Sequence, residues 1–129
     1  HKRVLVVEDQ PYNQQLLTEV LELEGYGVEL VCDGRAMLER IDSSLLSPQS
    51  LPNLILMDIQ LPGVDGFELI RQMKAHPLWQ KIPAIAVTAM AMAGDRDRCI
   101  AAGADAYVSK PLNIEQLLSA IRSFSMTRG

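Results

Sequence analysis

The acids Glu8, Asp9 and Asp58, the hydroxyl of Thr88 and the ammonium of Lys110 stand far apart in this chain, yet each follows an apolar run. Val4-Leu5-Val6-Val7 leads into Glu8-Asp9, Leu54-Ile55-Leu56-Met57 into Asp58, Ala84-Ile85-Ala86-Val87 into Thr88, and Ala106-Tyr107-Val108 into Ser109-Lys110-Pro111. Two ionised carboxylates about 5 Å apart repel by roughly 3 kcal/mol at an effective dielectric of about 20. Three acids gathered in one place should therefore recruit a hard cation. Mg2+ is the natural choice, because it takes oxygen ligands, keeps several waters and commonly joins a protein carboxylate to a phosphoryl oxygen. Taken singly, these residues have plainer roles: an acid at a strand end usually caps a turn or helix, a Thr ends a strand, and a Lys is a surface charge. Their common position gives the chemistry its weight. Asp58 stands out, following four large apolar residues where a buried strand would otherwise continue.

The elements that must position these side chains can be read from the alternation of apolar runs with stretches of helical period. The runs at 4–7, 54–57 and 84–87 are uninterrupted, as expected of strands covered on both faces of a parallel sheet. Gly27-Val28-Glu29-Leu30-Val31 and Ala106-Tyr107-Val108 read as shorter, peripheral strands. Between them Leu16, Leu17, Val20 and Leu21 share one helical stripe, as do Phe67, Ile70 and Met73, and later Ile114, Leu117, Leu118, Ile121 and Phe124. Gly25 follows the first helix, and Asp65 with Glu68 suits a capping pair for the third. The helix after Gly94 carries the charged Asp95-Arg96-Asp97-Arg98 and an Ala101-Ala102-Gly103 end with little to bury, and is expected to be the most mobile. Ser43 to Pro52 reads as a long loop within one domain, because the strand after it is needed by the same sheet. Strand–helix units joined by right-handed crossovers give an α/β fold, the flavodoxin-like doubly wound (βα)5 three-layer sandwich with parallel sheet order 2-1-3-4-5. Ligands of such sheets sit beyond the carboxyl ends of the strands, beside the switch between strands 1 and 3.

Composition narrows the function. The 129 residues, 48% apolar and 22% charged, make one ordinary domain with one core. A net charge of −4 suits a phosphate backbone poorly, so no direct contact with nucleic acid is expected. No apolar run approaches the roughly 20 residues of a spanning helix, and His1-Lys2-Arg3 followed by Val4-Leu5-Val6-Val7 lacks the features of a signal peptide. This segment is accordingly expected not to insert in a membrane. With no initiator Met, the chain, residues 1–129, reads as a single domain excised from a larger protein. Cys32 and Cys99 sit in no CxxC or Cys/His cluster, which argues against zinc or a disulfide framework and fits free structural thiols in a reducing, cytoplasmic setting.

The chain resembles the receiver, or phosphoacceptor, domains of two-component response regulators. The likeness spans essentially its whole length and rests on Val6-Val7-Glu8-Asp9, on Leu56-Met57-Asp58-Ile59-Gln60-Leu61-Pro62-Gly63-Val64-Asp65-Gly66, on Val87-Thr88-Ala89 and on Ser109-Lys110-Pro111. The stretches from Asp9 to Asn13-Gln14 and from Ala89 to Arg96 look most like receivers fused to hybrid sensor histidine kinases. The resemblance implies that Asp58 takes a phosphoryl group from a phosphohistidine on a histidine kinase or histidine phosphotransfer protein. It implies Mg2+ held by Asp9, Asp58 and the main-chain carbonyl of Gln60, with Glu8 acting through water. Lys110, and Thr88 with the backbone around Ala89, would take the remaining phosphoryl oxygens. The resemblance also implies a cis peptide between Lys110 and Pro111. A switch would run from Thr88 through Tyr107 to the surface of helix 4, strand 5 and helix 5, where a second copy could also pair. Gln60 and Met90 occupy places whose side chains tune the attack of water. Met90 cannot hydrogen-bond that water, so slow self-dephosphorylation is expected. Such a protein catalyses its own phosphoryl transfer without being a conventional turnover enzyme.

Other readings fit less well. A receiver-like interaction module that is never phosphorylated has no need of the intact acids, Thr88 and Lys110. A flavin-binding protein of the same sheet order would carry Gly, Ser and Thr amides after strand 1, where this chain is acidic. An aspartyl-phosphate hydrolase usually carries a second Asp two residues beyond its nucleophile, and here that place is Gln60. No GxxxxGK[ST] element exists for a P-loop. His76, beside Pro77, reads as an exposed turn residue, not a phosphodonor.

Overall fold

A computed structural model describes residues 2–43, 51–89 and 94–125 of the chain. Strands and helices alternate: β1 (Arg3–Val7), α1 (Pro11–Leu23), β2 (Gly27–Val31), α2 (Gly34–Ser43), β3 (Leu54–Asp58), α3 (Gly66–Ala75), β4 (Ala84–Thr88), α4 (Asp95–Ala102), β5 (Ala106–Ser109) and α5 (Ile114–Ser125). The strands form one sheet in the order β2-β1-β3-β4-β5, every neighbouring pair parallel. The flavodoxin-like order expected from the alternation is therefore the observed one.

Two cores explain why the central strands are apolar without a break. Side chains alternate across a strand, so Leu5, Val7, Ile55, Met57, Ala84 and Ala86 pack with Met37 and Ile41 of α2, Ile70 and Met73 of α3 and Cys99 of α4. Val4, Val6, Leu54, Leu56, Ile85 and Val87 pack on the other face with Leu17 and Leu21 of α1 and Leu117 and Ile121 of α5. The three layers follow directly. All five residues of β3 and of β4 are buried, Asp58 and Thr88 among them. Each fully buried Leu or Ile contributes roughly 1.5–3 kcal/mol, so the middle of the sheet is a firm base for whatever projects from its end.

Three strands run one residue further than their apolar stretches. Asp58, Thr88 and Ser109 are the last strand residues, in register with Val87, Ser109 and Thr88 respectively. The ladder continues past them through Ile59 N–H to Val87 O (3.1 Å) and Lys110 N–H to Thr88 O (2.8 Å), which fixes the polar side chains to the sheet itself. At the start of α3, the Asp65 carboxylate accepts from Phe67 N–H at 2.9 Å, as a capping residue should. Glu68 is engaged by Arg71 at 3.1 Å.

α4 is better packed than its composition suggests. Cys99 and Ala102 are buried, Arg98 lies 4.4 Å from the centroid of the Phe67 ring, and Gly103 abuts Lys74 of α3 so closely that an added Cβ would meet its Cγ at 2.8 Å. Both cysteines are free, but only Cys99 is buried; Cys32 is exposed at the end of β2 and is not part of the core. His76 caps the end of α3, and its Nδ1 accepts from Leu78 N–H at 3.1 Å. Most of the expected loop from Ser43 to Pro52 lies outside the described residues, as does Met90. No helix among the described residues is long and apolar enough to cross a membrane.

Candidate functional site

The carboxyl ends of β1, β3, β4 and β5 meet at one edge of the sheet. Glu8 follows β1 directly, and its N–H bonds to Val31 O at 3.0 Å, continuing the strand's pairing with β2. Its side chain is turned inward and only 2% exposed. Asp58 closes β3 with its side chain 4% exposed. Glu8, Asp9 and Asp58 each bring a carboxylate oxygen within 4.8 Å of the others. Lys110, just after β5, reaches back across the sheet: its Nζ donates to Asp58 Oδ2 at 3.0 Å and lies 3.2 Å from Glu8 Oε1. The peptide between Lys110 and Pro111 is cis.

Three carboxylates facing one ammonium leave a formal excess of two negative charges in a largely buried pocket. Burial is the main force on Glu8, raising its pKa above the ordinary 4.5, and the nearby Asp58 charge adds to it. The Gln10 N–H on Oε2 and the Lys110 ammonium oppose the rise without cancelling it. Lys110 responds in the same direction for another reason. Burial works to lower its pKa, but the hydrogen bond and charge of Asp58, with those of Glu8, outweigh burial and raise it. The ammonium is thus a firmly charged counter-ion at neutral pH.

A second set of bonds fixes the loops. Asp58 Oδ1 accepts from Gln60 N–H at 2.9 Å, and Gln60 Oε1 accepts from Ala89 N–H at 3.2 Å, so one residue joins the loops after β3 and β4. Gln14 of α1 donates from Nε2 to the main-chain oxygen of Glu8 at 2.7 Å. A groove of about 460 Å3 runs beside the pocket, lined by Tyr12, Asn13 and Leu16 of α1 and by Ala89, Lys110 and Pro111.

Residues 4–122 match the family model of the response regulator receiver domain. The chain belongs to that family. The polar-differentiation response regulator DivK of Brucella anthropi is 40% identical over 123 residues, covering 95% of each chain. A receiver domain of a sensor histidine kinase from Pseudomonas aeruginosa, solved with a magnesium ion coordinated in its active-site cleft, shares 34% identity and superposes with a TM-score of 0.80 over 95% of this chain and 96% of its own. The receiver domain of a signal transduction histidine kinase from Syntrophus aciditrophicus shares 30% identity with a TM-score of 0.86, over 99% of this chain and 92% of its own.

In this receiver four of the sequence-derived residues stand together. Glu8, Asp9, Asp58 and Lys110 form one cluster, and Gln60 touches it through its main-chain N–H. Thr88 is fully buried at the end of β4. Tyr107 is half-buried in β5 opposite Ala86, two residues before Thr88. Alternation puts Thr88 and Tyr107 on the same face of the sheet, where Tyr107 packs against the core shared by α2, α3 and α4. The anchoring of Glu8 by Gln14 and the Gln60–Ala89 bond carry no sequence signal, since neither separation follows a helical or strand period.

Proposed function

We propose that this receiver is a phosphorylation-dependent switch that accepts a phosphoryl group on Asp58 from a phosphohistidine of a histidine kinase or histidine phosphotransfer protein. The observation that carries this reading is the ammonium of Lys110 held by Asp58 and Glu8 inside a cluster of three acids. One Asp58 carboxylate oxygen attacks phosphorus; the O–P bond forms as the N–P bond to the partner's imidazole breaks, and the imidazole leaves with that electron pair. Little other covalent work is needed, because phosphoryl transfer depends on positioning and on neutralising the equatorial oxygens.

The pocket fits Mg2+: its donors are all hard oxygens, and its formal excess of two negative charges matches a dication. Asp9 and Asp58 would hold the ion directly, with the main-chain carbonyl of Gln60, and Glu8 through water. When bound, the ion supplies charge neutralisation at a phosphoryl oxygen. Lys110 takes a second phosphoryl oxygen, and Thr88 with the Ala89 N–H takes the third. The groove between α1 and Pro111 reaches Lys110, the counter-ion of Asp58, and offers the phosphohistidine partner a way in.

Phosphorylation adds about −1.5 to −2 charges and three strong acceptors. Thr88 turns its hydroxyl to the new group, and the Tyr107 ring moves inward over the small Ala86 opposite it, changing the face made by α4, β5 and α5. That face also offers a surface to a second copy. Only a differential affinity of a few kcal/mol between the two conformers is required. Met90 offers no hydrogen bond to an attacking water, so the phosphorylated state is long-lived.

The test is intact mass after incubation with acetyl phosphate and Mg2+. One added phosphoryl group is expected, absent without metal and absent in Asp58→Asn. Labelling that survives the substitution would overturn the assignment.

A further inference from the structure

We infer that the side chain of Gln60 is a removable stopper on the phosphoryl seat, an inference that rests on the function proposed above. The Ala89 N–H, one of the donors to the third phosphoryl oxygen, is already engaged by Gln60 Oε1 at 3.2 Å. The same residue's main-chain N–H holds Asp58 Oδ1 at 2.9 Å. Gln60 is thus tied by its backbone to the nucleophile, while its carboxamide occupies a donor the product must use. Its side chain is exposed, so it can swing into water without disturbing either core.

The exchange has a direction. A phosphoryl oxygen carries charge and forms a shorter, roughly twice stronger hydrogen bond than a neutral carboxamide, so it displaces Gln60 Oε1 once present. Before that, the carboxamide satisfies the amide and holds the loops after β3 and β4 together. Uptake of the phosphoryl group therefore costs the resting protein one hydrogen bond. Departure of the stopper also frees Ala89, which follows Thr88 directly, from the segment after β3.

Gln60→Met keeps the length of the side chain and removes the acceptor; Gln60→Asn keeps the carboxamide but shortens its reach. Affinity for beryllofluoride, a phosphoryl mimic, is measured with saturating Mg2+ for all three proteins, with hydrogen exchange of the Ala89 amide in the ligand-free state. Both variants should bind the mimic about two- to tenfold more tightly than the parent, the span expected of one neutral hydrogen bond, and the Ala89 amide should exchange faster in both. A residue that merely braced the loops would give the opposite sign, with weaker binding in both variants. Equal or weaker binding in Gln60→Met overturns the stopper while leaving the proposed function standing. A folded parent that takes up no beryllofluoride at all overturns the proposed function, and the stopper with it.

Discussion

Gly66→Ala isolates how tightly the backbone beside Asp58 is held. Gly66 opens α3, and a Cβ built there would lie 2.4 Å from Ile59 O and 2.6 Å from Ile59 Cα, where ordinary contacts begin at 3.4 Å. The obstacle is backbone, so no side-chain rotation relieves it, and about 1 Å of movement is required. Ile59 lies between Asp58 and Gln60, whose 2.9 Å hydrogen bond spans it. Overpacking of this kind costs roughly 1–3 kcal/mol, and the displaced loop also carries the Gln60 carbonyl proposed for Mg2+. Urea unfolding followed through the single, fully buried Trp79 reads the stability, and calorimetric titration reads Mg2+ affinity. Both should fall. Gly63→Ala is the comparison: its φ of +81° disfavours a side chain, but nothing lies within 4 Å. It should lose about 1–2 kcal/mol through conformation alone and keep its metal affinity. An unchanged urea midpoint and Mg2+ affinity in Gly66→Ala, or equal metal loss in both variants, would refute the reasoning.

Lys110→Met leaves Glu8 and Asp58 without their shared counter-ion. Removing one member of a buried charged set costs about 3 kcal/mol or more, so the metal-free variant should melt well below the parent, with Mg2+ raising its Tm more than it raises the parent's; equal Mg2+-induced shifts would count against the charge argument. Glu8 predicts a pH dependence: its raised pKa makes its contribution to metal-free stability greatest below the ordinary 4.5 and lost as pH rises through the folded value. Because Mg2+ and the proton compete for this carboxylate, metal affinity should fall on acidification while the pH is still above 4.5, and Glu8→Gln should flatten both profiles in parallel titrations. Met90→Glu supplies an acceptor for water and should shorten the lifetime of the phosphorylated protein several-fold; an unchanged lifetime, followed by intact mass, would defeat that expectation.

The strands were legible because burial on both faces leaves no room for alternation: the apolar runs before Asp58 and Thr88 can only be interior strands, and interior they are. Their ends were less legible, since a polar residue looks like the end of a strand, whereas the ladder continues through Ile59 and Lys110. The packing of α4 was less legible for a related reason. Its eight residues show little periodicity, and what holds it lies elsewhere in the chain, in the Phe67 ring under Arg98 and the Lys74 stem against Gly103.

At the site, residue type announced the acids and the lysine, but not the balance among them. Glu8 looks in sequence like a secondary ligand behind Asp9. In the structure it is the more buried of the two, it shares Lys110 with Asp58, and its main chain is held by Gln14. Burial raises its pKa, and the charge of Asp58 adds to the rise. A dication would relieve Glu8 and Asp58 together and release Lys110 from part of its duty to them. The arrangement that makes the metal-free pocket costly to ionise is therefore what frees an ammonium for an incoming anion, and a bound dication should raise the phosphoryl affinity of this receiver through Lys110.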